Sequence, residues 1–211
     1  MARGKKFGAE LGRRGKTNNH PAARAAKVEV RRRVLEALGA GNAVVFDAFA
    51  GDGAMWRAVW RDAAGYVGCD LLWYRDERTA FVSDNIRVLR CLPADDLAGF
   101  TVFDLDAYGS PWEQAAIIGA RRPVRRGERL GLILTEGSGL KLKMGGYPAA
   151  LCALAGIRPG AAGGAKAHDE LIDRALVGLC RRMGARIERR WQAQGKTGAA
   201  VRYIGLVLVG E

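Results

Sequence analysis

Carboxylates close four short apolar runs in the first half of the chain, and their spacing outlines a ligand. Val44-Val-Phe ends at Asp47 and turns through Phe49, Gly51, Asp52 and Gly53 into a helix-like stretch. Tyr66-Val-Gly-Cys ends at Asp70, Ala80-Phe-Val-Ser ends at Asp84, and the run from Thr101 ends in Asp104 and Asp106. A strand, a glycine turn and a helix start form the arrangement that seats a nucleotide-like ligand on a helix N-terminus. The dinucleotide fingerprint is broken, because Trp56 stands at its third glycine. Asp47 and Asp52 would also repel a pyrophosphate by an amount on the order of several kcal/mol. A ligand with an adenosine and positive charge, but no phosphate, suits this turn, and S-adenosylmethionine is such a ligand. In that reading Asp70 accepts from both ribose hydroxyls. Asp84 accepts from the adenine amine, or it caps the helix that follows. Phe49, Gly51, Gly53, Leu71, Asn85 and Asp104 complete the candidate cofactor contacts.

The run Phe103-Asp-Leu-Asp-Ala-Tyr-Gly-Ser-Pro-Trp112 offers a second chemistry. An amino group on a nucleobase is a poor nucleophile, because its lone pair is delocalised into the ring. A site that methylates one needs an acceptor for the amine proton and a flat surface for the base. Asp106, or the backbone carbonyl beside it, supplies the first. Tyr108 supplies the second by stacking, worth roughly 1–3 kcal/mol per base. Both are therefore the candidate catalytic residues. Ser110, Pro111 and Trp112 are candidates for the substrate pocket, and Lys141 and Lys143 for contacts to a substrate backbone, unless they lie in a solvated loop. His20 and His168 read as surface or capping residues.

These residues need a scaffold, and the hydrophobic periodicity gives one. A helix starts at Ala23, with Ala26, Val30, Val34, Leu35 and Leu38 on one face, and stops at Gly39. Strands are expected at 43–47, 66–70, 80–84, 101–106 and 129–135. Helices are expected at 54–62, 86–92, 112–120 and 168–183. Ala185–Gln192 and Val201–Val209, joined through Gly-Lys-Thr-Gly, make a closing hairpin. Alternating strands and helices imply an α/β fold: a Rossmann-like, seven-stranded, mostly parallel sheet with helices on both faces and a C-terminal antiparallel hairpin. Residues 1–22 form a basic extended arm and 23–211 one catalytic domain. Neither Gly-Lys-Thr, at 15–17 or 195–197, is a phosphate loop, since Glu10 and Arg190 stand where the upstream glycine belongs.

The formal net charge is +12 over 211 residues. Residues 1–33 hold 11 Lys and Arg against Glu10 and Glu29, and further arginines cluster at 121–129 and 181–190. Such clustering fits a face that tracks nucleic-acid phosphates, with RNA preferred. No apolar run approaches the roughly 20 residues that span a bilayer. Cys69, Cys91, Cys152 and Cys180 are isolated and read as buried thiols of a cytoplasmic, metal-free protein.

Residues 103–111 resemble the Asp-Pro-Phe/Tyr-Gly-Ser-Pro motif of the tRNA guanine-N2 dimethyltransferase family. Leu134-Thr-Glu-Gly-Ser-Gly-Leu-Lys-Leu-Lys-Met-Gly-Gly-Tyr-Pro148 is similar to that family's Thr-x-Thr-Asp stretch and the Gly-x-Tyr-Pro after it, and His168-Asp-Glu170 to its His-Glu. The resemblance covers the catalytic domain alone, about residues 44–176. It implies a class I methyltransferase fold with S-adenosylmethionine held at Asp47, Gly51, Gly53, Asp70 and Asp84. It also implies Asp106 as the catalytic carboxylate and methylation of a nucleobase amine in tRNA. Ala107 stands where the family has proline, and Glu136 and Gly137 where it has Thr and Asp. Alternatives with the same fold are a methyltransferase acting on DNA, a protein or a small molecule, and a nucleic-acid-binding module without catalysis.

Overall fold

The computed structural model describes residues 21–72, 74–138, 146–159, 167–194 and 201–211. The basic arm up to residue 20, Trp73, Lys141, Lys143 and the hairpin turn lie outside them. A helix α1 (Pro21–Leu38) leads into the strand β1 (Val44–Asp47). Then come α2 (Ala54–Ala58), β2 (Gly65–Asp70), β3 (Ala80–Val82), α3 (Asn85–Cys91), α4 (Ala94–Gly99) and β4 (Val102–Leu105). The second half holds α5 (Trp112–Arg121), β5 (Arg129–Glu136), α6 (Ala149–Ala155), α7 (His168–Met183), β6 (Ala185–Ala193) and β7 (Arg202–Gly210).

The seven strands form one sheet in the order β3-β2-β1-β4-β5-β7-β6. The first five pair in parallel, and β7 runs antiparallel between β5 and β6. This matches the sheet expected from the sequence, including the hairpin that inserts one reversed strand. The order reverses between β1 and β4, so the crevice at the carboxyl ends of these strands is where a doubly wound sheet takes its ligand.

Each face of the sheet has its own apolar core. Helices α3, α5, α6 and α7 cover one with Leu89, Ile118, Leu151, Leu176 and their neighbours. Helix α1 covers the other with Val30, Val34 and Leu38, joined by Trp60. Two glycines let α1 lie this close. A Cβ on Gly205 would stand 2.6 Å from Val30 Cγ1, and one on Gly131 2.7 Å from Val34 Cγ1.

Several local expectations need correction. The helix expected at 54–62 breaks at Val59 into α2 and a 3-10 turn, which turns Trp60 fully inward. Helices α4 and α6 escape periodicity because they are six and seven residues long, each begun by a proline, Pro93 or Pro148. Cys91 is exposed, unlike the other three cysteines. His168 is buried at the start of α7, not a surface residue. No helix among the described residues is long and apolar enough to cross a membrane.

Candidate functional site

At the end of β1 the chain must reverse without covering the crevice, and the glycines permit that. Gly51 and Gly53 take φ of 47° and 78°, in the left-handed region that favours glycine. Side chains from neighbouring elements then fix the turn. Asp47 Oδ1 accepts from the Phe49 amide at 3.1 Å, and Oδ2 from the Tyr66 hydroxyl at 2.9 Å. Asp70 Oδ2 accepts from the Gly51 amide and Oδ1 from the Leu72 amide, both at 2.9 Å. From the β2–β3 connection Arg78 reaches back, donating to the carbonyls of Ala50 at 2.9 Å and Gly51 at 2.8 Å. Asp76 holds Arg78 at 2.6 Å, and the guanidinium fills the space a Cβ on Gly53 would need.

The turn borders a cavity of about 430 Å³, lined by Asp47, Phe49, Gly51, Asp52 and Met55 on one side and by Arg24, Lys27 and Asp106 on the other. The candidate cofactor turn and the candidate acceptor carboxylate therefore open into the same space. Asp47 is nearly inaccessible to water. Burial, with Asp104 close by, pushes its carboxyl up to about 7. A cation entering the cavity would restore its charge.

Asp106 is held differently. Its Oδ2 accepts from Lys27 Nζ at 2.7 Å, with Arg31 Nη2 3.4 Å away. Burial alone would raise its pKa, but the two cations win and hold it below the ordinary carboxylate range. Tyr108 beside it is exposed, 69% of its surface open, as a stacking platform must be. Gly109 takes φ of 115° in the turn, and Ser110 is half-buried. At Ala107, where the resembled motif has proline, the amide donates to the Leu105 carbonyl at 2.8 Å. A proline has no such donor.

Other sequence-predicted residues serve the scaffold. Asp104 does not reach the cavity: it is fully buried, paired with Arg31 through two bonds of 2.6 and 2.7 Å and bonded by Trp60 Nε1 at 2.7 Å. Asp84 caps α3 by accepting from the Arg87 amide at 3.0 Å, the second of its two expected roles. Asn85 donates to the Ala48 carbonyl at 2.8 Å and accepts from Gln114 at 2.9 Å, tying the β1 turn to α5. Leu71 is largely exposed at the end of β2. Pro111 and Trp112 are buried away from solvent, and the Trp112 indole donates to Glu136. Glu136 also accepts from the Ser138 amide at 2.6 Å, and its Oε1 lies 3.5 Å from His168 Nε2. The next residue, Gly137, donates its amide to the Gly109 carbonyl at 2.6 Å, so β5 supports the acceptor turn.

Sequence reasoning missed Lys27, Arg31, Tyr66, Arg78 and Glu136. For the first two a signal existed: they stand four apart on the apolar face of α1, where a charge is buried only with a partner. Among the described residues no group of three or more His, Cys, Asp or Glu could hold a metal ion.

Solved structures of other proteins share this architecture. The complex of Trm1 from Pyrococcus horikoshii with S-adenosyl-L-methionine superposes with a TM-score of 0.59 at 18% identity, covering 93% of this chain and 58% of that one. Magnesium protoporphyrin IX methyltransferase from Synechocystis PCC 6803, with bound S-adenosylhomocysteine, gives 0.52 at 16% identity over 90% of this chain and 84% of its own. The 1,6-didemethyltoxoflavin-N1-methyltransferase of Burkholderia thailandensis, with bound 1,6-didemethyltoxoflavin and S-adenosylhomocysteine, gives 0.50 at 16% identity over 89% and 80%. The fold is that of the class I methyltransferases. No protein-family profile matches the chain, and no curated protein does. The chain spans little more than half the length of Trm1.

Proposed function

We propose that the protein is an S-adenosylmethionine-dependent methyltransferase acting on the exocyclic amine of a nucleobase in RNA, with tRNA the preferred substrate. The observation that carries this reading is the shared cavity, with Asp47 and the glycine turn on one wall and Asp106 on the other. The likeness in fold to Trm1 from Pyrococcus horikoshii supports the choice of RNA, as does the resemblance at residues 103–111. Exposed arginines add to it, at Arg24, Arg32 and Arg33 on α1 and at Arg186 and Arg189 on β6.

In this reading the cofactor lies across the ends of β1 and β2, its positive charges facing Asp47. Asp70 shapes the turn through the Gly51 amide and stands at the ribose end. The target base leaves its stack, at a cost of a few kcal/mol, and lies against Tyr108. Its amine points at Asp106 and presents a lone pair to the sulfonium methyl. The nitrogen–carbon bond forms as the carbon–sulfur bond breaks, and that electron pair stays on sulfur as a neutral thioether. The nitrogen then loses one proton, by way of Asp106, to water. Much of the acceleration comes from holding the two reactants in line.

The test is calorimetry with S-adenosylhomocysteine, followed by incubation of the protein with labelled S-adenosylmethionine and unmodified tRNA transcripts, and nucleoside analysis. Saturable binding and a methylated guanosine are expected. Binding without transfer to any nucleic acid would reject RNA as the substrate. Absence of binding would reject the enzyme class.

A further inference from the structure

The acceptor carboxylate is not free in its cavity: a lysine from another element is bonded to it. Lys27 belongs to α1, 79 positions before Asp106 in the chain, and its ammonium is buried. It donates to Asp106 Oδ2 at 2.7 Å and sits 5.8 Å from the centre of the Tyr203 ring. Arg31, one turn further along α1, approaches the same oxygen at 3.4 Å while its main hold is on Asp104. Oδ1 is buried and has no hydrogen-bond partner among the described residues. The carboxylate is thus clamped through Oδ2, with the buried Thr135 hydroxyl as a further donor beside it. A buried anionic oxygen without a partner is unfavourable, and an incoming N–H would satisfy it.

We infer that Lys27 is a positioning residue that keeps the Asp106 carboxylate charged and in one orientation, so that the site takes acceptor nitrogens bearing N–H and turns away ring nitrogens offering only a lone pair. The inference rests on the reading of Asp106 as the acceptor group. Charge settles the matter, because burial works to protonate Asp106. The groups around it are Lys27 and Arg31 on α1, the Thr135 hydroxyl of β5, Asp104 of β4 and Tyr203 of β7, with Arg24, Asp47 and Asp52 lining the same cavity. Arg31 acts on Asp106 through its charge while its bonds go to Asp104, whereas Lys27 adds a direct bond to its charge. Lys27 makes its ion pair with Asp106 alone among the described residues, so its charge is the one committed to that carboxylate. A protonated Asp106 would present a hydrogen where the amine presents its own, and the preference would invert toward a bare ring nitrogen.

The experiment compares wild type with Lys27→Met, Lys27→Gln and Lys27→Arg. Lys27→Gln keeps a hydrogen-bond donor without charge and guards against a Lys27→Met that does not fold. Carboxylate carbon-13 signals are titrated from about pH 3 to about pH 8, with Asp106 assigned by its loss in Asp106→Asn. Wild type and Lys27→Arg should titrate below the ordinary carboxylate range. Lys27→Met and Lys27→Gln should titrate higher by about 1–3 units, the effect of losing an opposite charge at this distance. An unmoved midpoint in both neutral variants overturns the inference. In methyl transfer to unmodified tRNA transcripts, the acid limb of kcat should move up with the midpoint while S-adenosylhomocysteine affinity stays as in wild type. A kcat lowered equally at every pH also overturns the inference, since a structural role alone does that. If wild type transfers no methyl group and yet the midpoint moves, the clamp on Asp106 stands and the functional reading is what fails.

Discussion

Asp47→Asn should stabilise the fold and weaken the cofactor site, and both effects can be followed with pH. In the folded protein Asp47 titrates at about 7 because it is buried beside Asp104. In the unfolded chain it titrates near the ordinary value, about 3.9. Below that value both states hold the proton and Asp47 contributes no pH dependence. Between about 4 and 7 the folded state keeps a proton that the unfolded state has released. Stability therefore falls as pH rises, by about 1.4 kcal/mol per unit, and levels off above about 7. Three units make the full effect about 4 kcal/mol. Asparagine keeps the bond from the Phe49 amide through Oδ1, and its Nδ2 donates to the Tyr66 oxygen with the direction of that bond reversed. Urea denaturation of wild type and variant at several pH values isolates this one group as a difference of two curves. The variant should gain steadily on wild type up to about pH 7 and then run parallel to it. Ligand binding must go the opposite way, because a cationic ligand favours the ionised carboxylate. Wild-type affinity for S-adenosylmethionine should rise by up to about tenfold per unit as pH climbs toward 7, while the variant stays weak and flat. Two stability curves that stay parallel between about pH 4 and 7 would refute the claim that Asp47 is a strained, neutral-leaning acid.

Asp106→Ala should abolish methyl transfer while sparing cofactor affinity, read by labelled-methyl incorporation beside calorimetry; retained turnover removes Asp106 as the acceptor group. Arg31→Met should cost about 3–5 kcal/mol in denaturant unfolding, because it leaves Asp104 charged and buried with only the Trp60 indole for a partner. A loss under about 1 kcal/mol would mean that the Arg31 bonds to Asp104 do not hold α1 on the sheet. Gly205→Ala should lower stability by about 1–3 kcal/mol by pushing α1 off β7, since the new carbon would sit 2.6 Å from Val30 Cγ1 and 3.2 Å from the Val30 carbonyl. An unchanged melting temperature there would show that the helix shifts freely. Removal of residues 1–20 should reduce methylation of RNA while leaving S-adenosylhomocysteine binding intact, and indifference in both assays would deny the arm a part in substrate capture.

The fold was legible because its strands obey simple rules. Buried parallel strands read as continuous apolar runs, such as Val44–Phe46 and Leu130–Leu134, and the reversed β7 reads as Tyr203–Val209. The glycine turn was legible too, since glycine most readily takes the left-handed angles that Gly51 and Gly53 adopt. The occupancy of each carboxylate was not legible. Asp47, Asp70, Asp84, Asp104 and Asp106 look alike in sequence as acidic strand ends. The structure divides them into a strained acid, a turn anchor, a helix cap, a buried ion pair and a carboxylate clamped at the cavity wall. What divides them is long-range: Arg31 is 73 positions from Asp104, and Lys27 is 79 from Asp106. Local pattern carries no trace of those pairings beyond the oddity of two cations on an apolar helix face.

That oddity makes α1 more than a cover for the sheet. One helix supplies the cation that neutralises Asp104 in the core and the cation that holds Asp106 at the cavity wall, while its exposed side carries Arg24, Arg32 and Arg33. It also begins at Pro21, so the last two residues expected in the basic arm are helical. Lys27 lies within two turns of that end. If the proposed function holds, one element links the chain segment that would meet RNA to the cation that holds Asp106. Removal of the arm and neutralisation of Lys27 should accordingly be non-additive in kcat, by more than the few tenths of a kcal/mol that independent sites show. Strict additivity of the two changes would mean that the helix holds Asp106 without regard to what its N-terminal extension binds.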